Sequence, residues 1–165
     1  MDESENNLLT CEACNNSVKK DDDFCPYCGS LFIDEIFCDN HNAILADGVC
    51  IICSIPYCKK CGAKINNHFL CNQHSNYEIY EGMARVYGTL DITAIQYAKT
   101  CLEQDGLHPV LFSRNSTYGG SRLSYSLFEA AGDYLGNIID EIKVMVPCQE
   151  VLKAEEILKS INIIT

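Results

Sequence analysis

Apolar and polar positions follow two different regimes along this chain. From about Gly82 onward the apolar periodicity is regular. Residues 84–90 (ARVYGTL) are rich in β-favouring side chains and predict a strand that stops at Asp91, a good helix N-cap. Through 92–104 the apolar residues Ala94, Ile95, Ala98, Cys101 and Leu102 recur at helical spacing, and Gly106 suits the C-terminal stop. A second strand is expected at 108–113 (HPVLFS), then a polar, glycine-containing stretch at 115–137. In 138–146, Ile142, Val144 and Val146 alternate with polar or exposed positions and predict a third strand, which Pro147 ends. Val151, Ala154, Leu158 and Ile161 then mark a helix over 149–161, and a last short strand is expected at Ile163 and Ile164. The order βαββα describes an α+β, ferredoxin-like split βαβ domain over 82–165, an antiparallel sheet with two helices on one face.

Before residue 82 the pattern is set by metal-binding chemistry instead. Ten of the twelve cysteines, with two histidines, form six pairs whose members are separated by two residues. The pairs are Cys11/Cys14, Cys25/Cys28, Cys38/His41, Cys50/Cys53, Cys58/Cys61 and Cys71/His74. One such pair is weak, but six in a row suffice for three closed tetrahedral sites, and zinc is the expected occupant of sites built from thiolate and imidazole. The loops between pairs hold too little apolar sequence for an independent core, so bound metal is expected to supply the folding free energy. A disulfide framework would need an oxidising compartment. The opening MDESENNLLT is acidic and lacks the basic and apolar runs of a signal peptide, so a cytoplasmic protein with a disordered tail at 1–8 is expected.

Charge and hydropathy narrow the function classes. The formal net charge is −11, and ten thiolates plus three divalent ions deepen it by about four charges. Nucleic-acid binding depends on Lys and Arg neutralising phosphate, so that reading is disfavoured, even around the first site, where KKDDD (residues 19–23) carries more acid than base. No apolar run is long enough to span a membrane.

Several segments resemble known families. Residues 9–32, with C-x2-C-x10-C-x2-C spacing and a second knuckle reading FCPYCGS, resemble small zinc ribbons. Residues 36–76 run C-x2-H-x8-C-x2-C-x4-C-x2-C-x9-C-x2-H and resemble a B-box zinc finger, despite a long last loop and Cys71 where a histidine is common. That resemblance implies cross-bracing: Cys38, His41, Cys58 and Cys61 on one zinc, Cys50, Cys53, Cys71 and His74 on the other. Two serial ribbons, Cys38/His41/Cys50/Cys53 then Cys58/Cys61/Cys71/His74, use the same ligands, and spacing alone leaves both open. The segments RVYGTLDITAIQYAKTCLEQDGL, HPVLF and VMVPCQEVLKAEEIL resemble a family of prokaryotic domains described as putative signal-transducing proteins, with a fold related to the PII regulators. That likeness implies a fold more than an activity, and nothing here carries over nucleotide binding.

Few residues elsewhere suggest catalysis. Every zinc site can be closed by four ligands, and no HExxH, or HxE with PCxxC, supplies a general base. No spare nucleophile, histidine and acid form a triad. Cys101 reads as a small core hydrophobe, and His68 as a less apt ligand than His74. Tyr118, Gly119, Gly120, Ser121 and Arg122 form a loop that offers room for a small anionic ligand but lacks a following helix N-terminus. Leu123, Leu127, Ala130, Ala131 and Tyr134 fit a short helix over the open sheet face. The expectation is a non-enzymatic zinc adaptor or regulatory protein acting through protein partners. The rivals are a nucleic-acid-binding ribbon protein and a ubiquitin-ligase-type protein.

Overall fold

A computed structural model describes residues 8–113 and 141–165. The chain divides into two compact units, Met1–Tyr77 and Glu78–Thr165. The loop residues 118–122, the apolar set 123–134 and the start of the strand expected from 138 lie outside the described residues, as do tail residues 1–7.

Among the described residues the first unit holds four two-stranded antiparallel sheets. They are β1 (Leu8–Thr10) with β2 (Ser17–Lys19), β3 (Phe37–Cys38) with β4 (His41–Leu45), β5 (Gly48–Val49) with β6 (Pro56–Tyr57), and β7 (Gly62–Ile65) with β8 (His68–Cys71). Leu8, assigned above to the tail, is already paired opposite Lys19. Around the first site the buried cluster consists of Cys11, Cys25, Cys28 and Val18, with Cys14 packed against it, whereas the double-site segment also buries Val49, Ile51, Ile52, Tyr57, Phe69 and Leu70. Burying one valine is worth about 1.5–3 kcal/mol, against about 10–16 kcal/mol for a structural zinc.

The ribbon segment is not a separate bead. Its second knuckle is hydrogen-bonded into the double-site segment, Phe69 N–H donating to Cys28 O at 2.9 Å and Val49 N–H to Gly29 O at 2.9 Å. His68 adds a third link, donating from Nδ1 to the Tyr27 carbonyl at 2.9 Å. Gly29 makes this approach possible: its φ is +78°, and a Cβ there would lie 2.1 Å from Val49 O and 2.8 Å from Phe69 Cβ.

The second unit is α+β. Its sheet runs β11 (Val110–Ser113), β12 (Ile142–Pro147), β10 (Met83–Thr89), β9 (Ile79–Tyr80), antiparallel throughout. Helices α1 (Ile92–Gln104) and α2 (Val151–Ser160) pack on each other and on β10 and β12. Between them Ala84, Ile95, Ala98, Leu102, Val144, Val146, Val151, Ala154 and Leu158 are fully buried. The caps are local: Asp91 accepts from the N–H of Thr93 (2.8 Å) and Ala94 (3.3 Å). Beyond α1, Gly106 and Leu107 donate to the carbonyls of Glu103 and Leu102 in a Schellman motif.

Four expectations need correction. Ile163 and Ile164 form no strand: with Asn162 at φ 57°, their N–H groups turn back to the Leu158 carbonyl and close α2. The strand expected from 108 begins at Val110, because the His108 N–H is taken by Glu150 Oε2 (2.8 Å) and Pro109 has no N–H. Lys143 and Met145, expected on an open face of their strand, are buried at 7% and 4% exposure. Lys143 tolerates this because both oxygens of Glu78 take its ammonium, at 2.7 and 2.9 Å. Cys101 is only half-buried, at the margin of the α1 core face.

Two substitutions test these packing arguments. Asp91→Ala removes two N-terminal hydrogen bonds and is expected to cost the second unit about 1 kcal/mol in denaturant titration. Gly29→Ala forces a left-handed backbone costing about 1–2 kcal/mol before the clash with Val49 O is counted, and thermal unfolding of the first unit should fall sharply.

Candidate metal centres

In three of the knuckles, backbone N–H groups converge on the first sulfur. Cys25 accepts from the N–H of Cys28 and Tyr27, Cys50 from Cys53 and Ile52, and Cys71 from His74 and Gln73. The turns are closed by carbonyls of their first ligands: Asn15, Gly29, Ser54 and Gly62 donate to Cys11, Cys25, Cys50 and Cys58. Asn15 and Ser54 adopt φ values of 59° and 56°, the left-handed step such a turn demands.

Three clusters result: Cys11, Cys14, Cys25, Cys28; Cys38, His41, Cys58, Cys61; and Cys50, Cys53, Cys71, His74. Within each, all four ligand atoms lie within 4.8 Å of one another. A tetrahedral zinc with ordinary bond lengths places sulfurs about 3.8 Å apart and sulfur and nitrogen about 3.6 Å apart. The first cluster gives 3.8 Å for Cys11–Cys28 and 3.6 Å for Cys14–Cys25. In the second, His41 Nδ1 lies 3.6, 3.6 and 3.4 Å from the sulfurs of Cys38, Cys58 and Cys61. In the third, His74 Nδ1 lies 3.5 Å from Cys50 Sγ and 3.2 Å from Cys71 Sγ. All twelve cysteines are free of disulfides. The donor sets and spacings are those of three zinc ions, and the pairing is cross-braced, not serial.

The electrostatics show why a cation belongs there. Cys50 is held down to about 4 by its hydrogen bond with Cys53, against burial, with help from backbone N–H groups. Cys53 is pushed up in return, by the same bond, by burial and by the charge on Cys50. At Cys14 burial opposes ionisation, yet the Asn16 amide and backbone N–H bring it down to about 7. One thiol per cluster ionises readily and its neighbour then resists, so full deprotonation needs positive charge at the centre.

Sequence spacing did not reveal the side chains that orient the ligands. Asn16 Nδ2 donates to Cys14 Sγ at 3.3 Å, Asn40 Nδ2 to Cys61 Sγ at 3.4 Å, and Ser30 Oγ lies 3.2 Å from Cys28 Sγ. Each stands two residues after a ligand cysteine, the one signal by which they were readable. His68 belongs to none of the three clusters, and its Nδ1 donates to Tyr27 O instead. His108 instead pairs with Glu150 at 2.7 Å, staplings the start of β11 to the turn before α2.

No family model matches the chain, and neither does any curated protein or solved structure. No helix among the described residues is long and apolar enough to cross a membrane.

Native mass spectrometry tests the pairing. Cys38→Ser with Cys58→Ser should remove one of three ions, because both ligate one centre, whereas serial sites would lose two. Chelation is a second test: it should abolish the cooperative unfolding of the first unit and leave the helical circular dichroism of the second.

Proposed function

We propose that this chain is a non-enzymatic, zinc-stapled adaptor or regulatory protein, working in the cytoplasm through protein–protein contacts. The observation that carries the reading is the completeness of the sites: each cluster offers four protein ligands to one centre, leaving no position for water or substrate. Metal in such sites shapes a surface instead of reacting at it. The ligand order and cross-braced pairing support a zinc ribbon over residues 9–32 followed by a B-box-type module over 36–76. The strand order β11-β12-β10, with both helices on one face, supports a ferredoxin-like second domain over 82–165, akin to the PII-related signal-transducing family.

The charge of −11 favours a protein partner over a nucleic acid. Crosslinking and capture with zinc-loaded and chelated chain from the native lysate provide the test. A defined protein partner recovered by the loaded form alone is the expected result. Tight nucleic-acid binding that weakens steeply with salt, without a protein partner, would reverse the proposal.

A further inference from the structure

The three centres of the first unit are not embedded alike. At the third, the ligands stand among apolar side chains: Ile51 and Ile52 lie between Cys50 and Cys53, Leu70 precedes Cys71, and with Val49 and Phe69 they are 1–3% exposed. Ile51 N–H donates to Phe69 O at 3.1 Å, and the Tyr77 ring stands edge-on to His74 at 5.7 Å. The first centre offers four soft thiolates, and its second knuckle is fastened to the same apolar cluster by the bonds from Phe69 and Val49.

The second centre lacks such support on one side. Two of its ligands, Cys38 and His41, come from residues 32–47, where Cys38 is the only buried residue. Backbone hydrogen bonds tie this segment to the rest of the unit at Phe32 (to Asp23 O, 2.9 Å), at Asp39 (to Pro56 O, 3.0 Å) and at Asp47 (to Tyr57 O, 2.8 Å), two of the three being at its ends. The Lys59–Asp47 pair at 3.5 Å is exposed and contributes little. Asn40 reaches Cys61 Sγ at 3.4 Å, a contact to a ligand of the same centre. With no apolar burial to offset the entropy of its ordering, the segment is held in place by the metal. The other two ligands are placed independently of it. Gly62, next to Cys61, lies so close to the Phe69 ring that a Cβ there would be 2.8 Å from Cε1, Tyr57 before Cys58 is buried, and Asn72 N–H donates to Cys61 O at 2.9 Å.

We infer that the second centre is an exchangeable zinc site, whose occupancy folds and unfolds residues 33–46 while the first and third centres stay loaded. Zinc bound there has to order the segment as it binds, and part of its affinity is consumed in doing so. Zinc at the third centre meets ligands already positioned by packing. The concentration of free zinc thereby sets whether the exposed side chains of Phe37, Ile44 and Leu45 are presented in one shape. This goes beyond the adaptor reading and holds with or without a partner.

Native mass spectrometry of the zinc-loaded full chain, equilibrated across a series of zinc-buffering chelator solutions, tests it. A two-ion species should dominate over about a tenfold span of free zinc or more. Alkylation of that species should mark Cys38, Cys58 and Cys61 and spare the cysteines of the other two centres. Its hydrogen exchange should accelerate at the amides of Asp39 and Ala46, the latter bonded to Ile36 O at 2.8 Å, and stay slow at Ile51 and Phe69. Cys38→Ser with His41→Ala should produce the same two-ion chain in excess zinc. Three ions leaving in one step, or a two-ion species alkylated at ligands of the first or third centre, would overturn the inference. So would exchange at Asp39 and Ala46 as slow in the two-ion species as in the loaded chain, or loss of all three ions from the double variant.

Discussion

Sulfur atoms held less than 4 Å apart repel once ionised, and they are held there by backbone turns that have little else to stabilise them. That conflict is sharpest at the first centre. Around the first centre Val18 is the one apolar side chain of the buried cluster that is not a ligand, so hydrophobic burial there cannot compensate the ordering of its loops. A divalent ion removes the repulsion and contributes the missing free energy in one step. The short sheets follow from this arrangement: two-residue strands such as β5 and β6 persist because the knuckles at their ends are pinned.

The second unit obeys an ordinary rule. Its helices and sheet enclose a continuous apolar layer from Ala84 to Leu158, and its charged residues are managed pairwise. Glu78 serves both Lys143 and Arg85, and Arg85 also reaches Glu141, which is buried at 8% exposure. The second unit thus rests on burial, whereas the first adds coordination to a smaller set of buried apolar side chains, Val49, Ile51, Ile52, Tyr57, Phe69 and Leu70.

What was legible in the sequence was what depends on neighbours in the chain. The twelve ligands announce themselves by spacing, α1 by its period, and its limits by Asp91 and Gly106. What was not legible depends on distant partners. Lys143 looked like a solvent-facing residue because the carboxylate that pairs with it comes from Glu78, across the sheet. The cross-brace was invisible to spacing, since the Ser54 to Tyr57 segment joins two different centres in either arrangement. At Ile163 and Ile164 two β-branched residues suggested a strand, and the capping needs of α2 decided otherwise.

The hydrogen bonds from Phe69 and Val49 to the ribbon's second knuckle have a bearing on how this chain tolerates rearrangement. A ribbon lifted out at residue 32 would carry away unsatisfied carbonyls at Cys28 and Gly29, and would strip from the remaining fragment the acceptors of two backbone amides. Transplantation, circular permutation or recombination within the first unit therefore has to move all three centres together, and shuffling at its far boundary, after Tyr77, is where this molecule can be divided with least damage.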